Sequence, residues 1–109
     1  MSRLMRLLIA LVLVAVAASR ASAGAPPRVH HVAIDGATFA PASLTIALGD
    51  SIVWTNKDPY PHTVTSDDGQ FDSKQIATGK TFRLQAVKKG EYHYTCMLHQ
   101  TMHGSFTVK

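Results

Sequence analysis

Gly90-Glu91-Tyr92-His93-Tyr94-Thr95-Cys96 places two tyrosines and the chain's single cysteine on every second residue. Side chains along a β-strand repeat every two positions, so Tyr92, Tyr94 and Cys96 share one face and His93 takes the other. With the tyrosines in a core, Cys96 also points inward, at the very end of its strand, and His93 faces solvent. The same alternation recurs at 29–34, 43–48, 51–56 and 80–86, the pattern of half-buried antiparallel strands. Gly49-Asp50 turns the chain between the second and third of these, and Lys88-Lys89-Gly90-Glu91 turns it into the strand that starts at Tyr92. Lys57-Asp58-Pro59-Tyr60-Pro61 must be a loop, because two prolines cannot serve a central strand. Residues 62–66 resume as strand and stop at Asp67-Asp68-Gly69, 71–79 read as irregular with one short strand, and 97–103 carry no strand pattern. Gly104-Ser105-Phe106-Thr107-Val108 is a last strand. Seven or so short strands separated by turns predict an all-β domain, a Greek-key β-sandwich.

The amino-terminal segment reads differently. Arg3 and Arg6 precede an apolar run at 7–18, and Ala21-Ser22-Ala23 offers a small-x-small cleavage site. A spanning helix needs about 20 apolar residues, more than this run supplies. The pattern is that of a secretory signal peptide, residues 1–23, leaving 24–109 as one domain with no stable membrane anchor. A lipid anchor at the cleavage point would need a cysteine there, and the only one is Cys96. The formal net charge of +4 is largely the leader's, since Arg3, Arg6 and Arg20 leave with it. No basic stripe remains, which excludes nucleic-acid binding on composition. A lone cysteine in an exported chain cannot form an internal disulfide; it is a free thiol or a ligand.

Cys96-Met97-Leu98-His99-Gln100-Thr101-Met102 supplies a thiolate, an imidazole and a thioether at three-residue intervals. A compact loop can fold all three around one ion, and His62, after the proline loop, suits a fourth ligand from a neighbouring strand. Taken singly, a cysteine is more often a small buried hydrophobe, a methionine core, and a histidine a surface group. Together, two His, one Cys and a weak axial Met form the donor set of a blue-copper electron-transfer site. Structural zinc prefers several cysteines or a Cys/His set of four, and catalytic zinc does not take methionine, so one copper ion per chain is expected. His103 reads as a surface group beside the site. His30 and His31, adjacent on a strand, face opposite ways.

From about Phe39 to Lys109 the sequence resembles a cupredoxin, a type 1 blue copper protein, most like the amicyanin, pseudoazurin and plastocyanin group. The resemblance rests on Gly49-Asp50 leading into Val53-Trp54-Thr55-Asn56, on Pro61-His62-Thr63-Val64, and on the run from Gly90 through Cys96, His99 and Met102 to Gly104. The short gap from His99 to Met102 is similar to the ligand loop of amicyanin. The resemblance implies a two-sheet sandwich with copper at one end, bound by His62, Cys96 and His99 with Met102 as the distant axial ligand. It also implies that His99 breaks the surface in an apolar patch and passes the electron. Two positions depart from the family pattern. Thr63 stands where an asparagine commonly braces the ligand loops, and Leu98 and Gln100 stand where amicyanin has prolines.

Three functions compete on this reading. A one-electron carrier cycling between Cu(I) and Cu(II) fits the mixed donor set. A periplasmic copper carrier or storage protein would use more open Met- or Cys-rich sites. A copper oxidase or nitrite reductase needs further coppers on His-x-His pairs or at a subunit interface. The expectation is therefore a monomeric, non-enzymatic electron carrier, periplasmic or extracellular. Its partners are redox proteins, with a c-type cytochrome or a periplasmic dehydrogenase as the family-level expectation.

Overall fold

The computed structural model describes residues 25–109; the expected leader, 1–23, lies outside them. Eight strands form in chain order: β1 (Val29–Asp35), β2 (Thr38–Ala40), β3 (Ser43–Ile46), β4 (Ser51–Asn56), β5 (Thr65–Ser66), β6 (Thr81–Gln85), β7 (Gly90–Thr95) and β8 (His103–Val108). One sheet runs β2-β1-β4-β6 and the other β3-β8-β7-β5, so the expected two-sheet sandwich is present. Both sheets are mixed. β1 lies parallel to β4 and β3 parallel to β8, whereas the sequence pattern led to antiparallel strands at β3 and β4. Alternation reports which face of a strand is buried; it carries no information about a partner's direction.

The inward faces build one core. Val32, Ile34, Ile52 and Trp54 come from the first sheet, and Ile46, Tyr94, Phe106 and Val108 from the second. Trp54 meets Tyr94 edge-on across the sandwich, with ring centroids 5.4 Å apart, and Tyr92 stacks on Phe106 at 4.8 Å. Such pairs add to the area they bury, by about 0.5–1.5 kcal/mol each. Gly104 pairs with Tyr94 across β7 and β8, and a Cβ there would run into the tyrosine ring. As the strand periodicity requires, Tyr94 and Cys96 are fully buried and His93 is exposed.

Residues 62–66 do not form the continuous strand expected of them. The Val64 N–H donates to Ser73 Oγ at 2.7 Å and the Thr63 N–H to Cys96 Sγ at 3.3 Å, so side chains take the donors a ladder would need. Only Thr65–Ser66 pairs with β7, and His62 makes an isolated bridge with Ile76. Residues 71–79 contribute bridges at Asp72 and Ile76 in place of a short strand. β3 ends at Ile46 where the turn into β4 begins: the Ala47 N–H donates to Asp50 Oδ2, although the Leu48 N–H still reaches the Lys109 carbonyl beside β8.

The register brings one end of the sandwich together. Thr95, at the end of β7, pairs with Thr65 at the start of β5 and with His103 at the start of β8. β1 reaches the same end and turns into β2 through Gly36 and Ala37, both left-handed at φ 59° and 56°. Two successive positive φ values are those of a two-residue hairpin turn.

Candidate metal centre

Cys96 is the first residue beyond β7, and its inward face is inherited from Tyr94. The loop that follows is closed by its own backbone: the Met102 N–H donates to the His99 carbonyl at 2.9 Å and the Cys96 N–H to the Met102 carbonyl at 3.1 Å. This folds Cys96, His99 and Met102 into one turn, as their spacing predicts. His62 arrives from the other sheet's side, after the proline loop, fixed by reciprocal backbone bonds to Ile76 at 3.2 and 2.7 Å.

The donor atoms converge. Cys96 Sγ lies 3.7 Å from His62 Nδ1 and 3.9 Å from His99 Nδ1. The three ligand atoms all fall within 4.8 Å of one another, close enough to share one ion. Cys96 and His62 are 0% exposed and Met102 is buried at the same end, while His99 is half-buried. Tyr60 lies against both imidazoles, 5.0 Å from His62 and 5.5 Å from His99 between centroids. Tyr60, Met97 and Leu98 are large apolar side chains exposed at this end. A buried thiol, two imidazoles with nitrogens turned toward it and a nearby methionine fit a soft, redox-active ion better than a hard one.

The surroundings also show what holds the donors. Thr63 braces the two ligand loops: its N–H reaches Cys96 Sγ and its hydroxyl accepts the Met97 N–H at 2.8 Å. The threonine therefore does the bracing that the family's asparagine was expected to do. A residue that sequence reasoning left in a loop is Asp58. Its Oδ2 sits 2.7 Å from His62 Nε2, with both side chains almost wholly buried. The N–H groups of Ala37 and Gly36, together with His62, hold the Asp58 carboxyl below the usual carboxylate range, against the opposing effect of burial. An acid four residues before a histidine was the only trace of this in the sequence.

The remaining histidines lie outside the donor group, as expected. His103 is exposed and its Nδ1 lies 3.0 Å from Thr95 Oγ1. His30 faces Asp50 at 2.9 Å, while its neighbour His31 is exposed on the opposite side of β1.

The chain is similar to several known proteins. Plastocyanin of Rumex obtusifolius is 33% identical over 91 residues, covering 69% of this chain and 92% of the relative. A chloroplastic plastocyanin of Tetradesmus obliquus is 33% identical over 73 residues, covering 57% of this chain and half the length of that protein. Among solved structures, a purple cupredoxin from Nitrosopumilus maritimus superposes with a TM-score of 0.67 at 28% identity, over 73% of this chain and 99% of that one. An oxidized amicyanin variant shares the fold at a TM-score of 0.70 and 22% identity, over 73% of this chain and 81% of that one. Residues 6–108 match the family model of the cupredoxin-like domain. With the sandwich, the ligand loop and this match in agreement, the chain belongs to the cupredoxin family.

Proposed function

We propose that this protein is an exported one-electron carrier that holds a single copper ion with His62, Cys96, His99 and Met102. The observation that carries the reading is the convergence of Cys96 Sγ and two imidazole Nδ1 atoms at the closed end of a rigid sandwich. Copper supplies a Cu(I)/Cu(II) couple there, because thiolate and thioether suit the reduced ion and imidazole the oxidised one. Burial of Cys96 and His62 keeps water from the thiolate, and the Thr63 N–H donates to its sulfur. The closed 96–102 turn and the His62–Ile76 bridge hold the donors in one arrangement, so little has to move when the charge changes. His99, half-buried beside exposed Tyr60, Met97 and Leu98, gives the centre its one face toward a partner.

The partner is a redox protein, with a c-type cytochrome or a periplasmic dehydrogenase as the reading at family level. The chain acts as a monomer and turns over no substrate. Residues 1–23 are a signal peptide removed on export, and 24–109 work as one domain in the periplasm or outside the cell. A copper carrier or storage protein is the competing function. Spectroelectrochemistry on the copper-loaded protein separates the two: a carrier of electrons gives a reversible one-electron couple through many cycles without losing metal. Release of the ion to a mild chelator on each reduction would instead support transport of copper itself.

A further inference from the structure

Behind the buried imidazole lies a built acceptor. His62 presents Nδ1 to Cys96 Sγ and Nε2 to Asp58 Oδ2. Asp58 is itself fixed from the far side: Oδ1 accepts the Gly36 N–H at 2.7 Å and Oδ2 the Ala37 N–H at 2.9 Å. Those donors come from the left-handed β1–β2 turn, a conformation Ala37 adopts against the steric preference of its own Cβ. The Asp58 N–H donates to Asn56 Oδ1, and Asn56 Nδ2 donates to the carbonyls of Tyr60 and Ile76, the latter being the bridge partner of His62. Holding an imidazole in place needs only a neutral acceptor. A carboxylate, buried and supplied with two backbone donors, does more than hold.

We propose that Asp58 is a positioning residue for the metal centre, fixing His62 with its proton on Nε2 and its lone pair on Nδ1, and biasing the centre toward the more highly charged oxidation state of the ion. A carboxylate hydrogen-bonded to the outer nitrogen of a ligating histidine sets the tautomer and raises the donor strength of the inner one. A fixed negative charge near the ion also favours the oxidised form over the reduced one. The redox half rests on the copper reading above; the tautomer half does not.

The test has two arms. In ¹⁵N-labelled metal-free protein, imidazole NMR should show His62 with the proton on Nε2 and a bare Nδ1. A proton on Nδ1 in the native chain would overturn the proposal, and this arm needs no variant to fold. Asp58→Asn keeps an acceptor for Nε2 and removes the charge. With an unchanged circular dichroism spectrum, its preference for Cu(II) over Cu(I) should fall about tenfold, a rise of about 59 mV in potential. Asp58→Glu should stay on the native side of that shift. Asp58→Ala should also lose the tautomer preference and about 10–100-fold in Cu(II) affinity. A potential in folded Asp58→Asn equal to or below native would overturn the electrostatic role, leaving only a structural one. A native chain that bound no copper would sink the proposed function and leave the tautomer result standing.

Discussion

Thr63 ties the two ligand loops together with both its backbone and its side chain. Thr63→Ala leaves the part-buried Met97 N–H without its acceptor, which should destabilise the metal-free protein by about 1 kcal/mol. Thr63→Ser, which keeps the hydroxyl, should recover most of that; urea unfolding of both variants beside the native chain checks it, and equal stability of all three would contradict it. At this scale the proposed donors were the most legible part of the sequence. Cys96, His99 and Met102 are close in the chain, and strand periodicity alone turns Cys96 inward. Asp58 was not legible, because its role depends on the Gly36–Ala37 turn, 22 and 21 residues away in sequence, which only the β1–β4 pairing brings to it.

Asp50 does for the strands what Thr63 does for the loops. It accepts the Arg28 N–H ahead of β1 at 2.9 Å, the His30 ring at 2.9 Å and the Ala47 N–H of the β3–β4 turn at 3.0 Å. The Arg28 N–H first, then His30 and Ala47, lower its carboxyl from 3.8 to about 2. A carboxyl depressed by folding stabilises the native state above its unfolded value and loses that contribution as pH falls through the folded one. The metal-free protein should therefore lose stability between pH about 4 and about 2, and Asp50→Asn should flatten that part of the curve. Thermal unfolding across that range measures it; an identical slope in the variant would show that other carboxylates set it. β4 was readable to the residue, whereas β7 begins at Gly90, two residues inside the turn read at 88–91, and ends at Thr95. Residues 62–66 were not readable, because Ser73 and Cys96 side chains take the backbone donors, and neither is adjacent in sequence. The parallel pairing of β3 with β8 was equally hidden, since both strands alternate the same way whichever direction the partner runs.

The sandwich as a whole explains why the centre sits where it does. Two sheets locked through Trp54 and Tyr94 bring the ends of β1, β4 and β7 and the starts of β5 and β8 to one rim, and the ligand loops close over it. The fold class was legible from strand count and turn spacing, and the rim followed from placing Cys96 at a strand end. The export reading belongs to this scale too: expressed with its leader in a bacterial host, the chain should be recovered outside the cytoplasm with an intact mass beginning at Gly24. A product that keeps residues 1–23 would contradict it. The most direct test of the centre is a titration of the metal-free protein with Cu(II), followed by visible absorption, on the native chain and on Cys96→Ser. An intense thiolate-to-copper band that saturates at one ion per chain, and is absent from Cys96→Ser, is the expected result. A native chain without that band, or a band that survives the loss of the cysteine, would contradict the assignment of copper to His62, Cys96, His99 and Met102.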